Sequence, residues 1–370
     1  MTSGRRVVTL LVAAIVVIVL GVWLSSRKVQ IADNAAGTPV LKALKAQVND
    51  VTEVRVSKGD GSRATLRKQP AGWIVGEREY PADTTKVRRL LIDLSSLQSI
   101  EAKTSDPEKY TQLGVEDVNK PTATGLRIEA VTPQQTHGII IGNTSGAKSE
   151  YVRAMDAKQS VLATPIIQAN ADPKQWLDTS LLDIPEVRVK EVEVAPSGSP
   201  GYKVAREKKE QTDFTITGVP KGRELSSPSV ANGYASALVL MTLTDVKKAP
   251  DGAGATLATL ASTPARVTFR TFDGLELQIT GHLDGDHRLI SIVPQSTAKE
   301  TADEAQKLDA RVKGWQFEIP NYKYDALFRP LEEMLKAVEK KADKKAEAKA
   351  PTKKIGAKSA EPALPSSPAN

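Results

Sequence analysis

The sequence predicts an α+β protein with two tandem similar lobes, each a mostly antiparallel twisted sheet covered by one main helix, after one N-terminal transmembrane helix. Three observations lead to this fold class. An uncharged segment near the N terminus is long enough to span a membrane, and short alternating segments between turn residues are typical of antiparallel strands. A series of strands, aromatic strand, capped helix and further strands then occurs twice. A chain of 370 residues that is 40% hydrophobic can bury two cores of ordinary size.

Residues 1–28 are predicted to form a signal anchor whose transmembrane part is about 7–24, VVTLLVAAIVVIVLGVWL. These uncharged residues would form a helix of about 27 Å, close to the roughly 30 Å of a hydrocarbon core. Trp23 is a residue type that anchors helices at the interface. A cleaved secretory signal is the alternative, but no small-x-small cleavage site follows the segment. A buried helix of a soluble domain would need a polar face, which this segment lacks.

The charges that flank this segment favour, by a small margin, an N terminus inside the cytoplasm. Arg5 and Arg6 precede the segment in a short leader, whereas Arg27 and Lys28 follow it. We therefore expect a single-pass protein of the cell (inner) membrane, with the globular body outside the cytoplasm.

Residues 29–47 are assigned to a linker and residues 48–183 to the first lobe. Alternating residues between turn signals predict its strands at Val51–Val56, Ala64–Arg67, Trp73–Val75, Leu126–Val131, Gly138–Ile141 and Tyr151–Met155. The main helix is predicted to follow Pro81-Ala82-Asp83, where Asp83 or Thr84 can cap the free amide groups. Its apolar residues recur at helical spacing and form one stripe: Val87, Leu90, Leu91, Leu94 and Leu97.

Residues 184–338 are assigned to the second lobe, after a boundary near Asp183–Pro185. The same signals predict strands at Val189–Val194, Tyr202–Arg206, Asp213–Thr217, Arg266–Phe272, Leu275–Thr280 and Trp315–Ile319. The stretch Leu243–Lys248 is matched with Leu97–Lys103 of the first lobe. A helix is predicted to start at Ser226–Ser229, with proline at its first position, and to bury Val230, Tyr234, Ala237, Leu238 and Met241. In this comparison Phe214 takes the place of Trp73, and the strand at Trp315 is matched with the strand at Tyr151. The segment between Gly281 and Trp315 is interpreted as containing an insertion.

The C-terminal residues 339–370 are rich in Lys, Ala and Pro, and they are predicted to be disordered. A helix of two or three turns is expected from Leu331 before this tail. The lysines could contact anionic envelope polymers or lipid head groups, but a solvated tail is the favoured interpretation.

The distribution of charge disfavours nucleic acid as a partner. The net charge is +7, but residues 29–339 carry a net charge of −2, so the excess lies in the two terminal segments. A nucleic-acid-binding protein places its positive charge on the folded surface. The chain also has no cysteine, which excludes disulfides and thiolate chemistry.

No catalytic, cofactor-binding or metal-ligating residue is assigned from the sequence. The stretch GHLDGDHR places His282, Asp284, Asp286 and His287 together, and these are residue types that ligate metals. Asp-Gly between alternating strands is also a favoured hairpin turn, and this second interpretation is preferred. His137 lies in another expected turn, so all three histidines are predicted to be exposed.

Other signatures of catalysis are missing from the sequence. No Gly-x-Ser-x-Gly elbow occurs, and no glycine pair is followed by the helix and lysine of a phosphate-binding loop. Trp73, Trp176 and Trp315 could stack on sugar rings, but core packing is the preferred role in a chain with only 4% aromatic residues. These observations favour a protein that binds or braces and needs no cofactor.

Seven short motifs follow one another along the first lobe. They are Gly72-Trp73, Pro81-Ala82-Asp83, Tyr110-x-x-Leu113-Gly114, Ile141-Gly142, Tyr151-Val152-Arg153, Trp176-x-Asp178 and Leu181-Leu182. With the N-terminal membrane segment and the duplicated body, they resemble the bacterial domain of unknown function 4340 family over roughly residues 40–335. The second half departs from the pattern through Phe214, which replaces a tryptophan, and through the long insertion after Gly281. The resemblance implies no catalytic residues.

Members of this family are often encoded beside a type-2 ABC exporter permease and a gliding-motility-type auxiliary protein. The resemblance therefore implies a membrane-anchored, extracytoplasmic, non-enzymatic accessory or scaffold protein of an ABC-type export or gliding-motility-type transport system. Its expected partners are the membrane and integral membrane or ABC transporter proteins, with no nucleic acid and no small-molecule cofactor. An envelope-polymer (glycan) binding module is the alternative function, and an uncharacterised hydrolase is the third.

Overall fold

The computed structural model describes residues 16–19, 37–250 and 264–337. Most of the predicted anchor at 7–24 lies outside these ranges, and the four residues that are described, 16–19, are helical. Residues 29–36 of the predicted linker and the tail at 339–370 also lie outside the described residues. Among the helices that the structure describes, none combines the length and the apolar character needed to span a bilayer.

The first sheet has nine strands, and every neighbouring pair is antiparallel. Its strands are β1 (Glu53–Lys58), β2 (Arg63–Gln69), β3 (Gly72–Val75), β4 (Tyr80–Pro81), β5 (Gln98–Ala102), β6 (Leu126–Val131), β7 (Thr136–Ser145), β8 (Ser149–Ala154) and β9 (Ser160–Thr164). They lie in the order β4-β3-β2-β1-β6-β7-β8-β9-β5. The helices of this half are α1 (Lys42–Gln47), α2 (Thr84–Ser96) and α3 (Tyr110–Leu113), with 3₁₀ turns at Val48–Asp50, Pro107–Lys109 and Pro173–Trp176.

The second large sheet has eight strands and is also antiparallel throughout. In chain order the remaining strands are β10 (Ser180–Leu182), β11 (Val189–Ala195), β12 (Tyr202–Ala205), β13 (Thr215–Thr217), β14 (Met241–Thr242), β15 (Asp245–Lys248), β16 (Arg266–Thr271), β17 (Leu275–Asp284), β18 (His287–Ser296) and β19 (Trp315–Glu318). Strands β10 and β14 form a separate pair, and the others lie in the order β13-β12-β11-β16-β17-β18-β19-β15. The helices are α4 (Ala302–Val312) and α5 (Asn321–Leu327), with 3₁₀ turns at Glu186–Arg188, Asn232–Tyr234, Lys299–Thr301 and Leu331–Met334.

Helix α2 forms where the sequence predicts it. The carboxylate of Asp83 accepts hydrogen bonds from the amides of Thr85 at 3.0 Å and Lys86 at 3.1 Å, so it satisfies two of the unpaired donors at the helix start. The predicted stripe faces the core, with Val87, Leu90, Leu91, Leu94 and Leu97 all buried. The α+β class and the predominantly antiparallel sheets are therefore confirmed.

The two large sheets correspond in strand order and in register. In the first sheet Val54 of β1 pairs with Leu66 of β2, which pairs with Val75 of β3. In the second sheet Val192 of β11 pairs with Val204 of β12, which pairs with Ile216 of β13. Trp73 lies two residues before Val75, and Phe214 lies two residues before Ile216, so the two aromatic residues occupy matching places. Phe214 is fully buried, whereas Trp73 is partly buried against the same core.

The helix predicted after Ser226–Ser229 does not form, and this prediction is wrong. The segment is a succession of turns with i→i−3 hydrogen bonds and one 3₁₀ turn at Asn232–Tyr234. Serine, asparagine and glycine favour such local alternatives to an α-helix. The side-chain oxygen of Asn232 accepts from the amide of Phe214 at 3.1 Å, and its nitrogen donates to Asp213 at 2.7 Å. The side chain of Asn232 therefore fixes this segment to the start of β13.

The longest helix beside the second sheet lies in the segment interpreted as an insertion. Helix α4 buries Ala305 and Val312 and packs beside β18, which also belongs to that segment. Because β18 takes the place of β8, strand β19 corresponds to β9, and its match with the strand at Tyr151 is wrong. The helix expected from Leu331 is also wrong within the described residues. It is a single 3₁₀ turn, because Leu335 pairs in a β-bridge with Leu225.

A contact region that we call the junction connects the two large sheets. It consists of Arg78, Glu79 and Tyr80 from the first half and of Asp245, Lys248, Trp315 and Phe317 from the second. The Tyr80 ring meets Trp315 and Phe317 edge to face, with centroids 5.3 and 6.0 Å apart. Arg78 binds Asp245 through two hydrogen bonds, Nε to Oδ1 at 2.7 Å and Nη2 to Oδ2 at 3.0 Å. The described residues as far as Leu335 belong to one compact unit with a shared apolar core.

Candidate functional site

The candidate site is a cleft of about 690 Å³ on the face of the first sheet opposite the main core. One wall is the segment 105–123, which contains α3, and the other is the end of β8 with the turn at 155–158. A volume of this size is in the range of pockets that bind small molecules. We call it the Arg153 cleft after the cation in its wall.

A small apolar cluster holds the segment 105–123 against the sheet. Tyr110 and Val115 are buried against Ile140 of β7, separately from the main core. Helix α3 ends at Gly114, whose φ of +70° is in the left-handed region that glycine adopts without strain. Gly142 of β7 also has to be glycine, since a Cβ there would overlap the carbonyl oxygen of Leu113. The cleft wall is therefore fixed by backbone contacts as well as by side chains.

Arg153 is buried in the wall of the cleft, and its side chain is only 7% exposed. It lies on β8 opposite Ile140, and its guanidinium carbon is 4.6 Å from the centre of the Tyr110 ring. Nε donates to the carbonyl oxygen of Val115 at 2.9 Å, and Nη2 donates to Oδ1 of Asp117 at 2.5 Å. The ring and the carbonyl together fix the guanidinium plane, so one edge of it is presented in a defined orientation.

Two carboxylates of the cleft differ in how their oxygens are used. Asp117 pairs with Arg153 but has a side chain that is 72% exposed. Oε1 of Glu116 accepts from the amide of Thr124 at 3.1 Å, whereas its Oε2 is buried without a hydrogen-bond partner among the described residues. Oε2 therefore lies inside the cleft wall and not on its surface, and as an unpaired buried acceptor it costs free energy.

Three of the seven sequence motifs meet at this cleft. Tyr110 and Gly114 come from α3 and its C-terminal cap, Gly142 comes from β7, and Arg153 comes from β8. They are separated by up to about forty residues in the sequence, and the pairing of β7 with β8 brings them together. The sequence signal for the cleft is an arginine between valine and alanine in a predicted strand, Val152-Arg153-Ala154, a pattern that by itself indicates no ligand.

Two of the other motifs, Pro81-Ala82-Asp83 and Trp176-x-Asp178, meet at the start of α2. The amide of Asp83 donates to the carbonyl oxygen of Trp176 at 2.7 Å, and the amide of Asp178 donates to that of Pro81 at 2.9 Å. Trp176 is buried, and its indole Nε1 donates to the carbonyl oxygen of Asn170 at 2.7 Å. A second, shallower pocket of about 460 Å³ lies between this segment and the first turn of α2.

The tryptophans that could have stacked on sugars pack in the protein instead. Trp176 belongs to the core, Trp315 lies at the junction against Tyr80, and Trp73 is partly buried against the core. The preferred core-packing interpretation is therefore confirmed for Trp176. Trp73 and Trp315 pack against the core but each keeps part of its surface accessible.

The exposed position predicted for His137 is wrong. His137 lies inside β7, where it is buried and its Nε2 is 3.0 Å from Oε1 of Gln47 in α1. Burial lowers the pKa of His137, and the nearby Asp156 carboxylate opposes that change. The expected turn falls just before this strand, and α1 covers the histidine, which local sequence does not reveal.

The stretch GHLDGDHR forms the hairpin turn that its Asp-Gly dipeptide favours. Asp284 pairs with His287 across the turn, and Gly285 adopts a positive φ of +59°. His287 is exposed, and its Nδ1 is 3.1 Å from Oε1 of Glu318, while Asp284 pairs with Lys247. His282 is half-buried, and its Nε2 is 3.1 Å from the hydroxyl of Ser291. Within the ranges that the structure describes, no three metal-ligating side chains are grouped around a point.

The fold and the cleft define an α+β protein built on two large antiparallel sheets, with a polar ligand-sized cleft on the first. The sequence matches the family described as Domain of unknown function (DUF4340) over residues 73–259, half of the chain. The chain belongs to this family, as the seven motifs indicate. No curated protein and no solved structure matches the chain.

Proposed function

We propose that the protein is a membrane-anchored, non-enzymatic accessory or scaffold of an ABC-type export or gliding-motility-type transport system. In this proposal residues 7–24 anchor the chain in the cell membrane, and the body contacts its partners outside the cytoplasm. The body contains two similar tandem lobes, 48–183 and 184–338, and the matching strand order and register of the two large sheets support that division.

The observation that carries the proposal is that the histidines and the ion pair of the junction make contacts within the body itself. The three histidines contact Gln47, Ser291 and Glu318; His137 lies in the first sheet, and His282 and His287 lie on one hairpin of the second. The junction uses a bidentate ion pair and three aromatic rings to hold the two sheets together. Contacts of this kind stabilise a shape, and a stable shape is what a scaffold needs.

A tether supports a scaffold role even when the interface is weak. Confinement to the membrane gives an effective concentration of roughly millimolar for a partner in the same membrane. An interface with an affinity too low for a freely diffusing protein would then still be occupied.

The experiment is crosslinking of the full-length protein in native membranes, followed by purification and identification of the attached proteins. We expect integral membrane and ATP-binding subunits of one transport system. A matched variant that replaces residues 7–24 by a cleavable export signal should lose these partners. Equal recovery of the partners by the untethered body would contradict the role of the anchor, and recovery of no membrane transport protein by the full chain would contradict the accessory role.

A second variant separates the scaffold from a catalyst. His282→Gln with His287→Gln removes both histidines of the hairpin while leaving the core untouched. We expect unchanged crosslinked partners and an unchanged cellular phenotype. A folded double variant that lacks the phenotype would favour the hydrolase alternative.

A glycan-binding module is the second candidate function, and the Arg153 cleft is the observation that favours it. The cleft is large enough for a sugar and is lined by hydroxyl, amide and charged side chains, including Ser105, Thr111 and Asn119. Such side chains form the hydrogen bonds through which proteins orient polar ligands.

A further inference from the structure

We propose that the Arg153 cleft binds an acidic sugar, whose carboxylate binds Arg153 and whose hydroxyl groups bind polar side chains of the lining. The proposal rests on the glycan-binding candidate and is independent of the accessory role. It identifies the class of sugar and the side chain, Arg153, that selects it.

Arg153 supplies the cation for the carboxylate. A guanidinium has five N–H donors in a fixed plane, and the described contacts of Arg153 use Nε and Nη2. The Tyr110 ring and the Val115 carbonyl hold this plane in place before a ligand arrives. A planar carboxylate matches such an edge with two parallel hydrogen bonds.

Asp117 occupies the position that we assign to the ligand carboxylate. Its carboxylate contacts the guanidinium but is mostly exposed to solvent, whereas Arg153 is buried. An ion pair with one exposed partner contributes little, because water competes for the exposed charge. A ligand carboxylate inside the cleft is less solvated than Asp117, so it can replace Asp117 on Nη2.

The charge of the cleft favours a carboxylate over a phosphate. Its lining carries three cations, Lys120, Arg153 and Lys158, and three anions, Glu116, Asp117 and Asp156. A monoanion that displaces Asp117 from Arg153 replaces one negative charge at the guanidinium by another. A dianionic phosphate would add a second negative charge close to Glu116 and Asp156. In the described contacts Arg153 pairs with neither of these carboxylates, so they would repel the phosphate and weaken its binding.

Hydroxyl and amide side chains line the cleft around Arg153, among them Ser105, Thr111 and Asn119. They can exchange hydrogen bonds with the hydroxyl groups of a sugar. A ligand that presents a carboxylate to Arg153 and hydroxyl groups to these side chains is a sugar acid, and the volume of about 690 Å³ accommodates a sugar ring.

The test measures binding of D-glucuronate, D-glucose and inorganic phosphate to the full-length protein in detergent, by calorimetry and by saturation-transfer NMR. We expect glucuronate to bind with a Kd of about 1 mM, and glucose and phosphate to bind at least tenfold more weakly. Equal binding of glucose would overturn carboxylate recognition and leave glycan binding intact. Absence of binding by both sugars would overturn both, and phosphate binding as tight as that of glucuronate would show a general anion site and overturn the proposal.

Two variants, each with one negative charge of the cleft removed, test whether the ligand carboxylate binds Arg153. Asp117→Asn removes the intramolecular competitor, and we expect glucuronate to bind about fivefold more tightly. Asp156→Asn removes the same charge elsewhere in the cleft and should change binding less than twofold. Equal effects of the two variants, or weaker binding by Asp117→Asn, would refute the assignment. Arg153→Lys keeps the charge but not the planar fork and should weaken binding at least tenfold in a protein with an unchanged circular dichroism spectrum.

Discussion

Glu150 gives the sharpest test of the described core. It lies on β8 with 2% of its surface exposed, and its Oε1 accepts a hydrogen bond from the amide of Ile167 at 2.9 Å. Burial raises the pKa of Glu150 from 4.5 to about 7, and the hydrogen bond from Ile167 opposes the change only in part. The substitution to test is Glu150→Gln, which keeps an acceptor for Ile167 and removes the ionisation.

The expected size follows from the two pKa values. Below pH 4.5 the carboxyl is protonated in both states, and it carries no penalty. Between pH 4.5 and 7 the unfolded chain ionises while the folded chain stays protonated, so stability falls as the pH rises. The difference of 2.5 pKa units corresponds to a loss of about 3 kcal/mol that is complete above pH 7. Glu150→Gln should therefore be more stable than the wild type by about 3 kcal/mol at pH 8, and of similar stability at pH 4.5.

The assay is guanidinium denaturation of full-length wild type and Glu150→Gln, followed by tryptophan fluorescence at pH 4.5, 6 and 8. The difference between the two proteins isolates Glu150, because they share all other titratable groups. Glu108→Gln, at an exposed position, is the matched control and should change stability by less than about 0.5 kcal/mol. A difference between wild type and Glu150→Gln that is the same at all three pH values would refute the reasoning.

Three further predictions concern the packing of the two halves. Asp245→Ala leaves Arg78 without its bidentate partner at the half-buried junction and should destabilise the fold by about 2 kcal/mol. In a double-mutant cycle with Arg78→Ala, the two losses in unfolding free energy should be less than additive, because part of each is the interaction between these two side chains. Phe214→Ala should lower the unfolding free energy, measured by denaturation, by about 3–5 kcal/mol, because Phe214 is buried. Trp73→Ala should lower it less, because Trp73 is only partly buried. Equal losses of stability would contradict this difference in burial. Asp83→Ala removes the cap of α2 and should cost about 1 kcal/mol, while Asp83→Asn, which retains a capping oxygen, should cost less. Melting temperatures of this pair would test the cap.

Local sequence was sufficient where short-range physics decides the structure. The alternation in β1, β6 and β11 predicts strands because one face of each is buried, and the register then follows from the pairing of buried positions. Asp83 predicts the start of α2 because a short side chain can reach the free amides. The Asp-Gly dipeptide predicts the turn between β17 and β18 for a similar reason, since glycine tolerates a positive φ.

The same local signals failed where a distant contact decided the outcome. The apolar spacing after Ser229 is helical, but Asn232 uses its side chain on Asp213 and Phe214, and the segment forms turns. Helix α4 was missed because Ala305 and Val312 give a weak stripe until β18 is placed beside it. His137 follows turn residues, and only the packing of α1 buries it.

The sequence by itself determined the α+β class, the family motifs and most of the strands, because these depend on residues a few positions apart. The Arg153 cleft was decided only by the tertiary structure. Arg153 is about forty residues from Tyr110 and Glu116 in the chain, and the pairing of β7 with β8 and the packing of Val115 on Ile140 bring them together. The strand pattern around Arg153 does not show what its side chain contacts, because that depends on which segment covers this face of the sheet. Here the segment 105–123 covers the face and supplies the contacts.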